Sequence, residues 1–192
     1  MPLSLEELKK TVLSCQRCPL RLGATQVVFG EGNPTAEVML IGEGPGQQED
    51  LQGRPFVGPA GQLLDKIIGA CNWQRDSVYI TNIVKCRPPH NRVPTINEAQ
   101  TCSYWLDQQI DLISPKVLIA LGSSAARYLI SPNLLITRSR GIWHEYRGIP
   151  VMPTFHPAAL LRDPIKKRPV WEDFKQVLKL LAESDKGGNY PA

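Results

Sequence analysis

Short, continuous apolar runs recur along the chain and are separated by more polar stretches. Runs of this kind are typical of strands that are buried on both faces of a parallel sheet. They predict four strands, at residues 38–42, 78–84, 117–122 and 149–152. Within the last run, Pro150 indicates that the first residues lie at a sheet edge, because proline cannot donate a ladder hydrogen bond.

Between the apolar runs, hydrophobic residues recur at the spacing of an amphipathic helix. This pattern predicts helices at about residues 60–71, 97–113, 123–129 and 171–184. Ser4, with Glu7 three residues later, is a helix N-cap signature and predicts a further helix that runs to about Ser14. The alternation of strands and helices predicts an α/β fold, a three-layer α/β/α sandwich with a central four-stranded parallel sheet.

The length and composition of the chain suit one domain. Its 192 residues are 42% hydrophobic and 21% charged, and the net charge of +4 permits a polyanionic partner without requiring one. We expect the domain to occupy residues 1–184, followed by a disordered tail at 185–192. No apolar run is long enough to cross a bilayer, and the N-terminus lacks the pattern of a secretory signal. We therefore expect a cytoplasmic protein without a membrane contact.

Four of the five cysteines form two pairs, Cys15 with Cys18 and Cys86 with Cys102. Four thiolates in one site hold either a structural zinc ion or an iron-sulfur cluster. Zinc modules usually supply two short Cys-x2-Cys pairs, so the wide second pair favours iron-sulfur. Separate buried thiols remain the alternative, since free cysteine is among the most buried residue types. Cys71 lies in an apolar helical stripe and is expected in the core.

Glycine-rich and polar segments follow three of the predicted strands. Ligands of parallel sheets bind beyond the carboxyl ends of the strands, so these segments are the candidate site. The loops at 42–46 and 53–58 follow the first strand, Asn82 lies near the end of the second, and His156 follows the fourth. Each has a structural alternative: turns for the loops, a satisfied core amide for Asn82 and a packing role for His156.

Together these motifs resemble the family-four uracil-DNA glycosylases, the iron-sulfur branch of the uracil-DNA glycosylase superfamily. The resemblance covers nearly the whole chain. It rests on both cysteine pairs and on Gly-Glu-Gly-Pro-Gly at 42–46, Gly-Arg-Pro-Phe-Val-Gly at 53–58, Thr-Asn-Ile-Val-Lys-Cys-Arg-Pro-Pro at 81–89 and His-Pro-Ala-Ala-Leu-Leu-Arg at 156–162. It implies hydrolysis of the bond between uracil and deoxyribose, and a [4Fe-4S] cluster held by Cys15, Cys18, Cys86 and Cys102.

The resemblance also implies how uracil is bound. A uracil rotated out of the DNA stack would lie on the ring of Phe56. Asn82 would donate to a uracil carbonyl and accept from N3–H, a pairing that cytosine cannot reproduce because its N3 is an acceptor. Donors from His156 and from the loop near Gly44 would stabilise the negative charge on the departing base.

The resemblance also implies that a carboxylate does the remaining catalytic work. Glu43 would orient the attacking water and stabilise the cationic sugar, with Glu49 and Asn91 assisting. The best-known branch of the superfamily has an Asp and a Tyr where this chain has Gly44 and Gly46, so water activation and thymine exclusion must differ here. The covalent uracil-binding relatives carry a basic insertion after Cys-Arg-Pro-Pro that this chain lacks, which favours turnover.

Apolar and basic residues after His156 are candidates for DNA contact. Leu160 and Leu161 could wedge into the duplex and Arg162 could hold a phosphate, while Lys166 and Lys167 could follow the backbone. Arg138, Arg140 and Arg168 extend this basic set. The alternatives are a core-capping leucine and solvated charges. The expected partners are uracil-containing DNA, single- or double-stranded, and free uracil as product, and the expected oligomeric state is a monomer.

Two other functions fit part of the sequence. A non-catalytic, metal-stapled module that binds single-stranded nucleic acid would explain the cysteines and the basic residues. It leaves Glu43, Asn82 and His156 without a common purpose. A nucleotide-binding α/β enzyme is disfavoured, because no Walker lysine follows the glycine loop.

Overall fold

The computed structural model describes residues 4–184, and its secondary structure follows most of the predicted pattern. The helices are α1 (Leu5–Leu13), α2 (Leu20–Gly23), α3 (Gln47–Gln52), α4 (Pro59–Ala70), α5 (Ile96–Ile113), α6 (Ser123–Leu129), α7 (Ile136–Ser139), α8 (Pro157–Arg162) and α9 (Lys167–Ser184). The strands are β1 (Glu31–Gly32), β2 (Val38–Gly42), β3 (Tyr79–Asn82), β4 (Val117–Leu121), β5 (His144–Tyr146) and β6 (Ile149–Thr154). The tail predicted at 185–192 lies outside the described residues.

The sheet has six strands in the order β1-β3-β2-β4-β6-β5. Its four inner strands, β3, β2, β4 and β6, are parallel, as predicted. The prediction of a purely four-stranded sheet is nevertheless incomplete, because β1 and β5 add an antiparallel strand at each edge. These strands have only two and three residues and carry no apolar run, so the hydrophobic pattern does not reveal them.

The prediction of a sheet edge at Pro150 is also only partly correct. Pairing with β4 begins at Val151, so the missing N–H of Pro150 leaves no gap in that ladder. On the other side β5 pairs with β6 through Pro150, and β5 rather than β6 is the edge strand.

Alternate residues of the inner strands supply two cores, one on each face of the sheet. On one face Met39, Ile41 and Leu118 pack with apolar residues of α1, α5 and α6. On the other face Leu40 and Ile119 pack with α4, α8 and α9. This arrangement confirms the three-layer α/β/α sandwich. Cys71 is buried in the second core, as predicted.

Helix caps fix the two segments that carry the paired cysteines. Ser4 and Glu7 form the predicted capping box of α1, with the Ser4 backbone N–H donating to Glu7 Oε2 at 2.8 Å. Thr95 and Glu98 form a second capping box at the start of α5. Two hydrogen bonds from Arg92 to the Glu98 carboxylate, at 2.7 and 2.8 Å, lower the pKa of Glu98 to about 2. These contacts anchor the chain between Cys86 and Cys102.

A buried carboxylate joins the end of β6 to α9. Asp173 is fully buried and accepts hydrogen bonds from Arg140 and, at 2.6 Å, from Thr154 Oγ1. Burial raises the pKa of Asp173, and the bonds from Arg140 and Thr154 oppose that rise. Arg140 also donates to the Pro169 carbonyl, so this guanidinium is committed to the interior. No helix within residues 4–184 is long and apolar enough to cross a membrane.

Candidate active site

The carboxyl ends of the inner strands open into a cavity of about 1000 Å³. Most of the residues singled out from the sequence line it, namely Glu43, Gly44, Glu49, Phe56, Asn82, Asn91, His156, Arg162 and Lys166. Leu161 and Lys167 lie on the exposed surface and are not lining residues. The parallel topology thus brings together polar segments that are more than a hundred residues apart in sequence.

Phe56 forms an aromatic wall of this cavity. Its ring stacks with that of His156, with centroids 5.6 Å apart and planes inclined by 30°. The backbone of Phe56 has φ +50°, an uncommon conformation for a residue with a large side chain. Gly61 allows α4 to approach this turn, because a Cβ at position 61 would overlap the Phe56 carbonyl.

The carboxylate of Glu49 holds the strained turn in place. Oε1 accepts from the backbone N–H groups of Val57 and Gly58, both at 2.8 Å, and Oε2 accepts from Gly46 N at 3.2 Å. Charge-assisted bonds of this kind are stronger than neutral ones. Glu49 therefore ties the first glycine loop to the turn that carries Phe56.

Asn82 ends β3 and is 1% exposed. Its side-chain Oδ1 finds no hydrogen-bond partner among residues 4–184. A Cβ at position 42 would collide with both this oxygen and the Phe56 ring, so Gly42 lets the amide and the ring lie side by side. Asn82 is therefore not a satisfied core amide, since its unpaired acceptor lies at the cavity wall.

His156 caps α8 and lines the cavity. Its Nδ1 accepts from the backbone N–H of Ala158 at 3.1 Å. Burial, assisted by the charge of Arg162, lowers the pKa of His156 to about 4. The ring is thus neutral at physiological pH and carries its hydrogen on Nε2, as a donor. Gly122, at φ +91°, allows close approach, because a Cβ there would lie 2.8 Å from His156 Cβ.

Glu43 follows β2 and is half-buried at the cavity wall. The hydroxyl of Ser124, in the first turn of α6, donates to its Oε2. The neighbouring Gly44 lies close to the segment after β3, and a Cβ there would be 2.7 Å from Val84 Cγ2. The bond from Ser124 therefore orients the Glu43 carboxylate at the cavity wall.

Basic and apolar residues surround the cavity mouth. Lys166 lies over the ring of Phe155, with Nζ 5.5 Å from the centroid. Asn91 is exposed and its Oδ1 accepts from Arg87 Nε at 2.7 Å. Leu161 is 48% exposed and Ile165 is 84% exposed, and each precedes a basic residue that lines the cavity, Arg162 and Lys166.

Comparison with known proteins decides the family. The sequence model of the uracil DNA glycosylase superfamily matches residues 29–176. The type-4 uracil-DNA glycosylase of Sulfurisphaera tokodaii is 46% identical over 186 residues, covering 92% of this chain and 84% of that protein. The type-4 enzyme of Thermotoga maritima is 45% identical over 161 residues, covering 83% and 84%. The chain belongs to the type-4 uracil-DNA glycosylases.

This membership confirms the resemblance inferred from the motifs. Among solved structures, that of wild-type SMUG2 from Pedobacter heparinus matches with a TM-score of 0.51 at 12% sequence identity. It covers 79% of this chain and 77% of that one, and at such low identity the likeness concerns the fold alone.

The lining residues that sequence reasoning missed in this type-4 chain include Ser124, Arg127 and Thr137. Ser124 had a usable signal, because it lies two residues after the third apolar run, near the position that Glu43 has after the first. Arg127 and Thr137 lie on α6 and α7, whose sequences carry no motif of their own. Ile165 was also missed, since a lone isoleucine beside lysines does not indicate exposure.

The four paired cysteines lie in one neighbourhood on the first core. Cys86 and Cys102 are buried, and Cys15 and Cys18 pack against the same cluster of side chains. Burial, together with the three other thiols, raises the pKa of Cys86 to about 12. The shared metal site and its alternative of separate buried thiols both stay predictions. Within residues 4–184 no group of three or more His, Cys, Asp or Glu side chains is placed to hold a metal ion.

Hydrogen-bond donors surround these sulfur atoms. Trp105 Nε1 donates to Cys15 Sγ at 3.3 Å, and the backbone N–H of Lys85 donates to Cys102 Sγ at 3.2 Å. The side chain of Lys85 points away into the protein and is 1% exposed. Burial lowers the pKa of Lys85 to about 7, while the Cys102 thiol opposes that shift.

The environment of His156 predicts an unusual titration. We expect its imidazole, followed by NMR and assigned by comparison with His156→Gln, to titrate near pH 4. Because an unfolded histidine has a pKa of about 6.5, the unfolded chain takes up this proton first. The contribution of His156 to the free energy of unfolding should therefore fall as pH decreases from about 6.5 toward 4. A midpoint near pH 6.5 would contradict the buried, neutral imidazole.

Proposed function

We propose that this protein is a DNA repair glycosylase that rotates uracil out of DNA and hydrolyses its glycosidic bond. The products are free uracil and an abasic site. The observation that carries the proposal is the buried, unpaired Oδ1 of Asn82 beside the Phe56 ring. Family membership supports the same conclusion.

The Asn82 amide suits uracil because of the hydrogen-bond pattern of the base. Uracil presents a donor at N3 between two carbonyl acceptors, and an amide oxygen and NH2 match one donor and one acceptor side by side. Cytosine presents an unprotonated N3, which would leave Asn82 Oδ1 facing another acceptor. A buried acceptor left unpaired costs about 1–3 kcal/mol, so this mismatch excludes the wrong base.

Hydrolysis requires opposite charges to be stabilised on the two sides of the breaking bond. As the C1′–N1 bond lengthens, its electron pair leaves with uracil and positive charge develops on the sugar. His156 Nε2–H donates to the uracil oxygen that becomes anionic, helped by backbone donors near Gly44. Water forms the new bond to C1′ and loses a proton toward the carboxylate of Glu43, which Ser124 orients.

The two assisting residues act at a distance from the bond. Glu49 donates no proton in this scheme, because its oxygens accept three backbone N–H groups and position Phe56. Asn91, at the exposed mouth, contacts the DNA strand near the abasic product. It is held there by Arg87.

The cavity mouth contacts DNA. Leu161 and Ile165 enter the duplex and fill the space that the rotated base leaves, as inserted apolar side chains do in other DNA-bending proteins. Arg162, Lys166 and Lys167 bind phosphates on either side of this wedge. The protein acts as a monomer in the cytoplasm, where its thiols stay reduced.

Cys15, Cys18, Cys86 and Cys102 hold a [4Fe-4S] cluster. This proposal is supported by the place of all four thiols at one core cluster. It is also supported by the Trp105 Nε1–H and Lys85 N–H groups that donate to two of the sulfur atoms, since hydrogen bonds to sulfur are a feature of iron-sulfur sites. When bound, the cluster supplies a cross-link between the N-terminal segment and α5, and no step of the hydrolysis passes through it.

The division of work between His156 and Glu43 predicts a specific defect in each variant. His156→Ala should slow single-turnover uracil excision about a hundredfold or more, because its donor is needed mainly in the transition state. Glu43→Gln should also slow cleavage while leaving affinity for DNA with an uncleavable uracil analogue nearly unchanged. Glu172→Gln, which changes an exposed carboxylate on α9, is the matched control and should cleave normally.

The assay also separates the proposed enzyme from a nucleic-acid-binding module. A wild-type protein that binds such DNA but releases no uracil would overturn the proposed function. If His156→Ala and Glu43→Gln both cut at the wild-type rate and differ only in affinity, these residues shape the pocket and do not catalyse.

The cluster proposal predicts the metal content of the protein. Protein purified without oxygen should be brown and contain iron and acid-labile sulfide in about equal amounts. Cys86→Ala should lose iron together with folding or DNA binding, because the cross-link is structural. Cys71→Ala removes a buried thiol from the opposite core and should keep its iron. Zinc in place of iron would contradict the proposal.

A further inference from the structure

Lys85 occupies a position that the scheme above does not explain. It lies between the cysteines and the uracil pocket, and its side chain is among the largest that are fully buried. A buried lysine is costly unless its donors are all used. Here Nζ contacts three oxygen atoms: Thr81 Oγ1 at 2.6 Å, the Asn82 carbonyl at 2.7 Å and Gln109 Oε1 at 2.6 Å.

All three oxygens accept from Nζ, and these hydrogen bonds favour the ammonium form against the burial that lowers the pKa of Lys85. The Thr81 hydroxyl donates its own hydrogen to the Phe29 carbonyl at 3.0 Å. The amide nitrogen of Gln109 donates to the same carbonyl at 2.9 Å and to the Tyr79 hydroxyl at 3.1 Å, which fixes Gln109 Oε1 toward Lys85. An ammonium has three N–H donors, so the network is fully satisfied.

The backbone of Lys85 is held as firmly as its side chain. Its N–H donates to Cys102 Sγ at 3.2 Å, and its carbonyl accepts from Val28 N at 2.7 Å. Cys102 and Gln109 both lie on α5, so Lys85 makes two contacts with that helix. At the end of β3, Lys85 contacts the carbonyl of Asn82, the residue whose unpaired side-chain oxygen lies at the cavity wall.

We propose that Lys85 is a positioning residue that couples the cysteine segment to the uracil-reading amide. By fixing the Asn82 carbonyl, the ammonium sets the backbone orientation from which the Asn82 side chain points beside Phe56. The residue does not touch uracil and acts only through Asn82. This inference rests on the proposed function and adds a reason why a fully buried lysine follows the end of β3.

A double-mutant cycle tests the coupling. In single-turnover excision, Lys85→Met should slow the wild-type protein about tenfold or more, but should have less than about a twofold effect in the Asn82→Ala background. Free uracil should bind Lys85→Met more weakly by calorimetry, while affinity for abasic-site DNA should stay unchanged. Visible absorption of the cluster reports whether the cysteine segment remains intact.

Two further variants keep the test decisive. Gln109→Met removes one acceptor of the ammonium without changing Lys85, and it should show the same dependence on Asn82 if Lys85→Met does not fold. Gln108→Met changes the neighbouring glutamine, whose amide donates to the Tyr104 carbonyl on its own helix and not to the Lys85 network, and should excise uracil within about twofold of wild type. Equal effects of Lys85→Met with and without Asn82 would overturn the positioning role. A wild-type protein that releases no uracil would instead overturn the proposed function, and uracil calorimetry would then decide the coupling.

Discussion

A buried acceptor without a partner organises the active site of this glycosylase family member. Leaving such an oxygen unpaired costs about 1–3 kcal/mol, which a fold tolerates chiefly where a ligand supplies the missing donor. The Oδ1 of Asn82 is one of the few atoms of this kind within residues 4–184. Gly42 leaves room for this oxygen, and Phe56 forms the adjacent apolar wall. Lys85 Nζ donates to the backbone carbonyl of Asn82. In the proposed function, a base with hydrogen at N3 pairs with this oxygen, whereas a base without it leaves the oxygen unpaired.

Several contacts hold Phe56 and His156 in place, although the backbone of Phe56 is strained. Phe56 adopts φ +50°, and the Glu49 carboxylate stabilises that turn through two backbone N–H groups beyond it. Arg75 also donates to the Pro55 carbonyl and pairs with Glu31 and Asp65, so the turn is held from both sides. Strain of this kind persists at functional sites when several contacts determine it together. His156 is also held in place, since the Ala158 N–H at the start of α8 donates to Nδ1 and leaves the hydrogen of the neutral ring on Nε2.

The sequence predicted the inner part of the fold well, because residues 38–42 and 117–121 are apolar runs with no competing interpretation. It missed β1 and β5, whose few polar residues pair only because neighbouring strands are already in place. In the site, Asn82 and His156 were predicted from their places at strand ends. The unpaired state of Asn82 Oδ1, the tautomer of His156 and the contact from Ser124 to Glu43 depend on side-chain geometry. No spacing in the sequence encodes them.

The central claim is that Asn82 Oδ1 accepts a hydrogen bond from N3–H of the base, and calorimetry with two ligands tests it directly. Uracil carries hydrogen at N3, whereas 3-methyluracil has the same ring and both carbonyl oxygens but no donor there. The account predicts that uracil binds and that 3-methyluracil binds at least about tenfold more weakly, because the methyl group meets a buried acceptor. It also predicts that Asn82→Ala removes most of this difference. Equal affinity of the wild-type protein for the two ligands would contradict the account.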